Sequence, residues 1–293
     1  MTKTAWVFPG QGSQKIGMGL DLIDFPNAKA KYEAAEKILG WSVPAICQSD
    51  ENTLSQTIYT QPSLYVVESI LIDLMRAKGH QPALVAGHSL GEYVALYAAG
   101  VLDFEAGLSL VKNRSELMAQ VSGGQMAALI GFKREQLESE IQANPDVVIA
   151  NDNSDTQVVI SGKQEAVEAV LSKIKVKLAV KLNVSGAFHS HFMESAATEF
   201  QKVLNSMEFK PAHIPVLSNV EPEPTTDPEV IKSRLSRQMT HGVRWREIML
   251  KFPQEGIEKI IEIGPGNVLT GLLKRTCPKI TLENVSQSEH LAK

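Results

Sequence analysis

Gly87-His88-Ser89-Leu90-Gly91 fits the pattern G-x-S-x-G, with the apolar run Ala83–Ala86 before it and the helix-forming stretch Glu92–Ala99 after it. Strand, sharp turn and helix in that order are the setting of a nucleophilic serine. The flanking glycines let the backbone reverse and the helix pack close, and amide N–H groups at the helix N-terminus can receive a developing oxyanion. Ser89 could instead serve only as the cap of that helix; the strand before it favours catalysis. A serine hydroxyl is a weak nucleophile until a base takes its proton, so the seven histidines are the next candidates. His80, His213 and His290 lie beside predicted loops or termini and read as surface residues. His88 adjoins Ser89, but neighbours on a tight turn point apart, so its ring reads as structural. His189, in Gly186-Ala187-Phe188-His189-Ser190-His191, falls where the chain returns from a small unit to longer elements, a junction where a cleft should form.

Chemistry of this kind needs a scaffold that excludes water. The chain has 293 residues, 43% hydrophobic and 21% charged, which is ordinary globular usage and enough to bury a sizeable core. Lys+Arg at 29 against Asp+Glu at 33 leaves a net charge of −4, so no excess positive field exists to attract nucleic acid or an anionic membrane. Cys47 and Cys277 lie far apart, without CxxC or Cys/His spacing, which argues against a disulfide framework and a metal site. No apolar run reaches the ~18 residues that span a bilayer, and Pro9 breaks the N-terminal apolar segment before a signal-peptide core can form. A soluble, monomeric protein of a reducing compartment, the cytoplasm, is expected.

The elements that must hold these residues alternate between strand and helix. Ala5–Phe8 reads as a buried strand entering the glycine-rich turn Pro9–Gln14. A helix follows over residues 62–78, with Thr60 as its cap and Pro62 in its first turn, and another over residues 103–119. After Gly123-Gly124 the rhythm changes to strand 125–131, helix 133–143, strands 147–150 and 157–161, a helix face from Ala166 to Ile174, and alternation through 177–184. That order is βαββαβ, the split ferredoxin-like unit. Beyond Gly186 come a helix near 195–206, a strand at 214–217, a helix ending near Phe252, a strand at 259–263, Gly264-Pro265-Gly266 and a last helix. Alternation implies a mostly parallel, covered sheet. The expectation is an α/β chain in which residues 1–122 and 187–293 form the large catalytic domain and residues 123–186 an inserted small one. Lys173, Lys175, Lys177 and Lys181 cluster late in the small unit and read as a solvated strand edge.

Phe8–Gln14, Thr60-Gln61-Pro62, Gly87–Glu92, Arg114, Gly186–Ser190 and Glu262–Gly266 occur in the order seen in malonyl-CoA:acyl carrier protein transacylases. From about Ala5 to about Leu273 the chain resembles that family, in its stand-alone bacterial type, and is similar to acyltransferase domains of polyketide synthases. The resemblance implies an α/β-hydrolase-like large domain and a malonyl group carried from malonyl-CoA to the phosphopantetheine thiol of acyl carrier protein by a ping-pong route. Fatty acid synthesis, or polyketide synthesis, would use the product. No metal and no separate cofactor is implied.

On these positions, Ser89 would be the nucleophile and His189 the general base, its imidazole oriented by the backbone carbonyl of Gln238. The N–H groups of Gln11 and Leu90 would form the oxyanion hole. Arg114 would grip the malonyl carboxylate, which a planar guanidinium suits better than an ammonium does. Phe188 matches the residue that accompanies malonyl rather than methylmalonyl transfer, and Gln61, Asn151 and Asn153 match positions that face the cleft. His191 departs from the pattern, since many relatives carry proline there, and it could perturb His189. An α/β-hydrolase remains the enzymatic rival: Asp152 or Asp155 with His290 would complete its order of serine, acid and histidine, but His290 lies three residues from the last. A non-catalytic carrier-binding module would have no use for Ser89, His189 and Arg114 together.

Overall fold

The computed structural model describes residues 2–292. Its strands are β1 (Thr4–Phe8), β2 (Leu84–Gly87), β3 (Gly124–Phe132), β4 (Val147–Ser154), β5 (Gln157–Lys163), β6 (Val176–Lys181), β7 (Val216–Leu217), β8 (Lys259–Ile263) and β9 (Thr281–Val285). Its α-helices are α1 (Pro26–Leu39), α2 (Val43–Cys47), α3 (Glu51–Leu54), α4 (Thr57–Ala77), α5 (Gly91–Ala98), α6 (Phe104–Gln120), α7 (Arg134–Gln142), α8 (Gln164–Lys173), α9 (Glu194–Ser206), α10 (Pro228–Gln238), α11 (Trp245–Gln254) and α12 (Val268–Thr276).

The larger sheet runs β7-β2-β1-β8-β9 with every pairing parallel. Such a sheet must be covered on both faces, and the alternation along β1 divides the core accordingly. Trp6 and Phe8 point into the layer of α4, α5, α6 and α9. Ala5 and Val7 point the other way, onto Trp245, Ile248 and Phe252 of α11 and Leu269 and Leu272 of α12. The smaller sheet, β4-β5-β3-β6, is antiparallel throughout. One of its faces, with Ala127, Leu129, Val158 and Ile160, packs on Leu137 of α7 and Val167 and Val170 of α8. This is the ferredoxin-like strand order, and the chain is α/β as the alternation implied.

Three local expectations change. Helix α4 begins at Thr57, so Thr60 is not its cap: Thr60 is buried inside the helix, and its Oγ1 donates to the Leu54 carbonyl at 2.5 Å. Pro62 stands within the helix rather than in its first turn, and its missing N–H leaves out one backbone bond of the helix. Strand β4 runs to Ser154, so Asn151 and Asn153 belong to it instead of following it. Register shifts at Ile149/Asn151 and Asp152/Ser154 break its alternation and hide its second half. Strand β9, an exposed edge whose alternation is shallow, has no counterpart in the sequence reading.

The carboxyl ends of β1, β2 and β7 carry Pro9-Gly10-Gln11, Ser89 and Ser218-Asn219 to one edge of the sheet, where ligands of open α/β sheets bind. Their approach depends on glycine: a Cβ on Gly91 would stand 2.0 Å from the Phe8 carbonyl oxygen, and one on Gly10 would stand 2.4 Å from that of His88. Among the described residues no helix is long and apolar enough to cross a membrane.

Candidate active site

Ser89 holds φ at +52° and His189 holds it at +57°, the two non-glycine residues with positive φ among those described. Such backbone costs of order 1 kcal/mol or more, and it persists where the surroundings impose it. Around Ser89 they do so heavily. Its N–H donates to Asn219 Oδ1 at 2.7 Å, and its carbonyl accepts from Gln238 Nε2 at 2.9 Å. Asn219 is fixed in turn by the Gly87 carbonyl at 2.6 Å and, through its backbone N–H, by Glu92 Oε2 at 3.2 Å. Glu92 also accepts from Gln238 Nε2 at 2.7 Å. Burial pushes the Glu92 carboxyl up, and these hydrogen bonds oppose the rise.

The hydroxyl meets a base. Ser89 Oγ lies 2.7 Å from His189 Nε2, while His189 Nδ1 lies 2.9 Å from the Gln238 carbonyl and 3.2 Å from that of His241. Both partners of Nδ1 are acceptors, so Nδ1 carries the proton and Nε2 presents its lone pair to the serine. Burial, and after it the Arg114 cation, pushes His189 down to about 3. The ring is therefore neutral and ready to accept a proton at any ordinary pH. The same shift has a thermodynamic sign. Below pH 6.5 an unfolded imidazole takes up a proton that the folded site refuses until about 3, so His189 removes stability as pH falls through that window. His189→Gln should flatten the loss of Tm between pH 6.5 and about pH 4 relative to wild type; parallel losses in the two proteins would contradict this.

The third group is a buried cation. Arg114, fully enclosed on α6, donates from Nη1 to Gln61 Oε1 at 2.7 Å, and from Nη2 to Gln238 Oε1 and Ser89 Oγ, each at 3.1 Å. Its guanidinium carbon stands 5.3 Å over the Tyr93 ring. None of the three acceptors is a carboxylate, and Nε has no partner. Among the described residues no carboxylate lies within ion-pair distance of the guanidinium; Glu92 acts on it only from beyond the Gln238 side chain that bridges the two, and a buried charge without a direct partner is costly. Gln61 Nε2 also donates to Gln11 Oε1 at 3.3 Å, linking this cluster to the glycine-rich turn. There the N–H groups of Gln11 and Leu90 donate to no protein acceptor among the described residues, and Gly10 lets the turns after β1 and β2 that carry them approach each other.

Ser89, His189, Arg114, Gln61 and the Gln238 carbonyl thus meet in one hydrogen-bonded cluster, with Gln11 attached through Gln61. Asn151 and Asn153 stand apart from it, on the wall of a cavity of about 200 Å³ shared with Gln11, His88, Ala128 and Val268. Asn153 Oδ1 receives His88 Nε2 at 2.7 Å, so His88 holds strand β4 to the turn rather than serving as a base. Phe188 is buried in the main core beside His189. His191 is exposed, its ring 4.1 Å from that of Phe192, and makes no contact with the cluster. His290 bonds the Ser286 N–H at 3.2 Å at the far end of the chain, and Asp152 pairs with arginines, so no hydrolase triad assembles from them. Lys173 and Lys181 are engaged with Glu140 and Glu168 of the covering helices.

Sequence reasoning assigned no role to Glu92, Asn219, Tyr93 or the His241 carbonyl. Glu92 carried a signal, being the one acid in the otherwise apolar α5, and Asn219 is a polar residue just past a buried strand. Strand β4 adds another tie. The backbone of Asp152 donates to the Val243 carbonyl at 2.9 Å, while its carboxylate takes Arg134 Nη2 at 2.8 Å and Arg246 Nε at 3.1 Å. The smaller sheet is thereby pinned to the segment after α10, just past the Gln238 carbonyl at the end of that helix and the His241 carbonyl that follows it. Asp152→Ala should lower the unfolding free energy by about 2 kcal/mol; an unshifted denaturation midpoint would remove Asp152 from this task.

Residues 5–292 match the family model described as the acyl transferase domain, and the chain belongs to that family. Within it, the chain is 56% identical over 289 residues to the malonyl CoA-acyl carrier protein transacylase of Synechocystis, covering 99% of each chain. The crystal structure of the Synechocystis malonyl-CoA:ACP transacylase superposes with a TM-score of 0.98 over 99% of both chains. A polyketide biosynthesis malonyl CoA-acyl carrier protein transacylase of Bacillus subtilis is 44% identical over 92% of this chain and 96% of its own. A malonyl transacylase solved in complex with a type II polyketide acyl-carrier protein is 37% identical, with a TM-score of 0.94 over 99% of this chain and 98% of its own.

Proposed function

We infer that the chain is an acyltransferase that moves a malonyl group from malonyl-CoA to the phosphopantetheine thiol of acyl carrier protein through a malonyl-Ser89 intermediate. The observation that carries this reading is the shared hydroxyl: Ser89 Oγ lies 2.7 Å from a neutral imidazole nitrogen and 3.1 Å from a buried guanidinium that no carboxylate among the described residues pairs with directly. An ester or thioester of an uncharged acid would have no use for that cation; an acyl group ending in a carboxylate supplies its partner.

In the first half-reaction Oγ bonds to the thioester carbonyl carbon and its proton passes to His189 Nε2. The oxyanion takes the N–H groups of Gln11 and Leu90. The C–S bond then breaks, and the proton goes to the departing CoA sulfur. In the second, His189 takes the proton of the phosphopantetheine thiol, the sulfur attacks the malonyl ester, and Oγ leaves with the proton returned to it. The Gln238 carbonyl keeps the imidazole in the tautomer both steps require. Gln61 holds Arg114, while Asn151 and Asn153 line the path of the pantetheine arm and Phe188 limits the size of the acyl group. The chemistry uses side chains, backbone amides and the two sulfur substrates, without metal or redox cofactor. Fatty acid synthesis in the cytoplasm is the setting of this reading, and the likeness to the polyketide biosynthesis transacylase of Bacillus subtilis makes polyketide synthesis the second.

The test is the fate of the acyl group when malonyl-CoA and pantetheinylated carrier are both supplied. Malonyl-carrier should accumulate in step with CoA release. Free malonate at the rate of CoA release, with the carrier unloaded, would make the protein a thioesterase.

A further inference from the structure

We propose that Arg114 is a gate on the nucleophile: in the free protein its guanidinium holds the Ser89 hydroxyl, and the carboxylate of the incoming acyl group draws the guanidinium off and frees it. The proposal rests on the malonyl reading above and adds to it a rate effect of the carboxylate, beyond its effect on binding.

The argument is a count of hydrogens. A guanidinium grips a carboxylate with two parallel N–H groups, and either of its forks, Nε with Nη2 or Nη1 with Nη2, includes a hydrogen on Nη2. Both Nη2 hydrogens are in use, one on Gln238 Oε1 and one on Ser89 Oγ. The buried, unpartnered Nε marks the fork left half open. To complete that fork one partner must yield. Gln238 is fixed by two bonds from its Nε2, to the Ser89 carbonyl and to Glu92. Ser89 Oγ is held otherwise only by its contact with His189, which it keeps when the Nη2 hydrogen leaves it for the carboxylate, so this is the bond that gives way.

Release changes the chemistry in two ways. A hydroxyl that donates to His189 and accepts from a cation has one lone pair tied down and its electron density drawn away from the reacting carbonyl. Withdrawal of the cation restores both. Arg114 is also, after burial, the next cause of the depressed basicity of His189, and a carboxylate on the guanidinium cancels that charge where the imidazole must accept the serine proton. An acyl-CoA without a terminal carboxylate therefore meets a nucleophile that is still held. Its disadvantage lies in the acylation rate as well as in affinity.

The carboxylate can be supplied separately. With acetyl-CoA, Ser89 Oγ replaces the CoA sulfur at the acetyl carbonyl and CoA leaves as the thiol; formate fills the position that the malonyl carboxylate would occupy. Formate should raise the rate of acetyl-Ser89 formation in the wild type saturably, by about tenfold, with little change in the KM for acetyl-CoA. Chloride at equal ionic strength should not, and Arg114→Ala should show no formate dependence. A wild-type rate that formate leaves unchanged or lowers would overturn the gate, as would equal stimulation of Arg114→Ala. Malonyl-CoA run beside acetyl-CoA separates the two ideas. If malonyl loads Ser89 while formate does nothing, only the gate falls; if malonyl does not load Ser89, the malonyl reading falls and the gate with it.

Discussion

Ser89→Ala is expected to abolish the covalent intermediate and to cut malonyl transfer by about 10³-fold or more, at least ~4 kcal/mol of transition-state stabilisation. Among the described residues no other hydroxyl is held against His189 Nε2, so no side chain there replaces the lost oxygen. The remaining machinery should persist. Ser89 N–H and carbonyl are backbone groups that keep Asn219 and Gln238, and alanine removes only the side-chain partner of His189 and one acceptor of Arg114. Stability should therefore change by no more than about 1 kcal/mol, so folded but inactive protein is the outcome to look for. Serine and base act as one unit, so adding His189→Ala to Ser89→Ala should cost little further. Steady-state transfer rates for the single and double variants check this. A double variant that is many times slower than Ser89→Ala would mean that His189 serves some other nucleophile.

Arg114→Ala should act on selectivity. Among the described residues the guanidinium is the one positive group bonded to Ser89 Oγ, so malonyl-CoA should lose about 10²-fold or more in kcat/KM, roughly 3 kcal/mol, while acetyl-CoA loses nothing. The effect on folding has two opposed parts. Removing a buried cation that has no direct ion-pair partner relieves its desolvation, but Gln61 Oε1 and Gln238 Oε1 lose their donor and become buried orphans. The ratio of kcat/KM for the two thioesters is measured on one preparation and does not depend on how that balance falls. A ratio equal to that of the wild type would remove Arg114 from recognition of the acyl group.

What could be read in advance divides by distance along the chain. The turn at Ser89 was legible because strand, glycine pair and helix are consecutive, and the βαββαβ order because each of its elements has its own period. The start of α4 was not: Gln56, its N-cap, makes no side-chain capping bond, while Thr60 and Pro62 imitate a helix start within the first turns. The second half of β4 was lost to its bulges. In the site, Ser89, His189 and Arg114 could be named because the ordered motifs resemble a family, since lone histidines and arginines carry no such message. The supports could not. Glu92 and Asn219 are 127 positions apart, and Gln238 reaches Glu92 over 146, so their bond to one another exists only in the fold. Nor did any pattern announce that the guanidinium rests on the serine.

The central claim is that malonyl travels on Ser89. Intact-mass measurement of the wild type after a brief pulse of malonyl-CoA, followed by a chase with pantetheinylated carrier, tests it most directly, with Ser89→Ala run in parallel. One malonyl group should appear on the wild type, be absent from the variant, and move to the carrier during the chase. Transfer to the carrier that proceeds with no adduct on the wild type, or an adduct of equal size on Ser89→Ala, would contradict it.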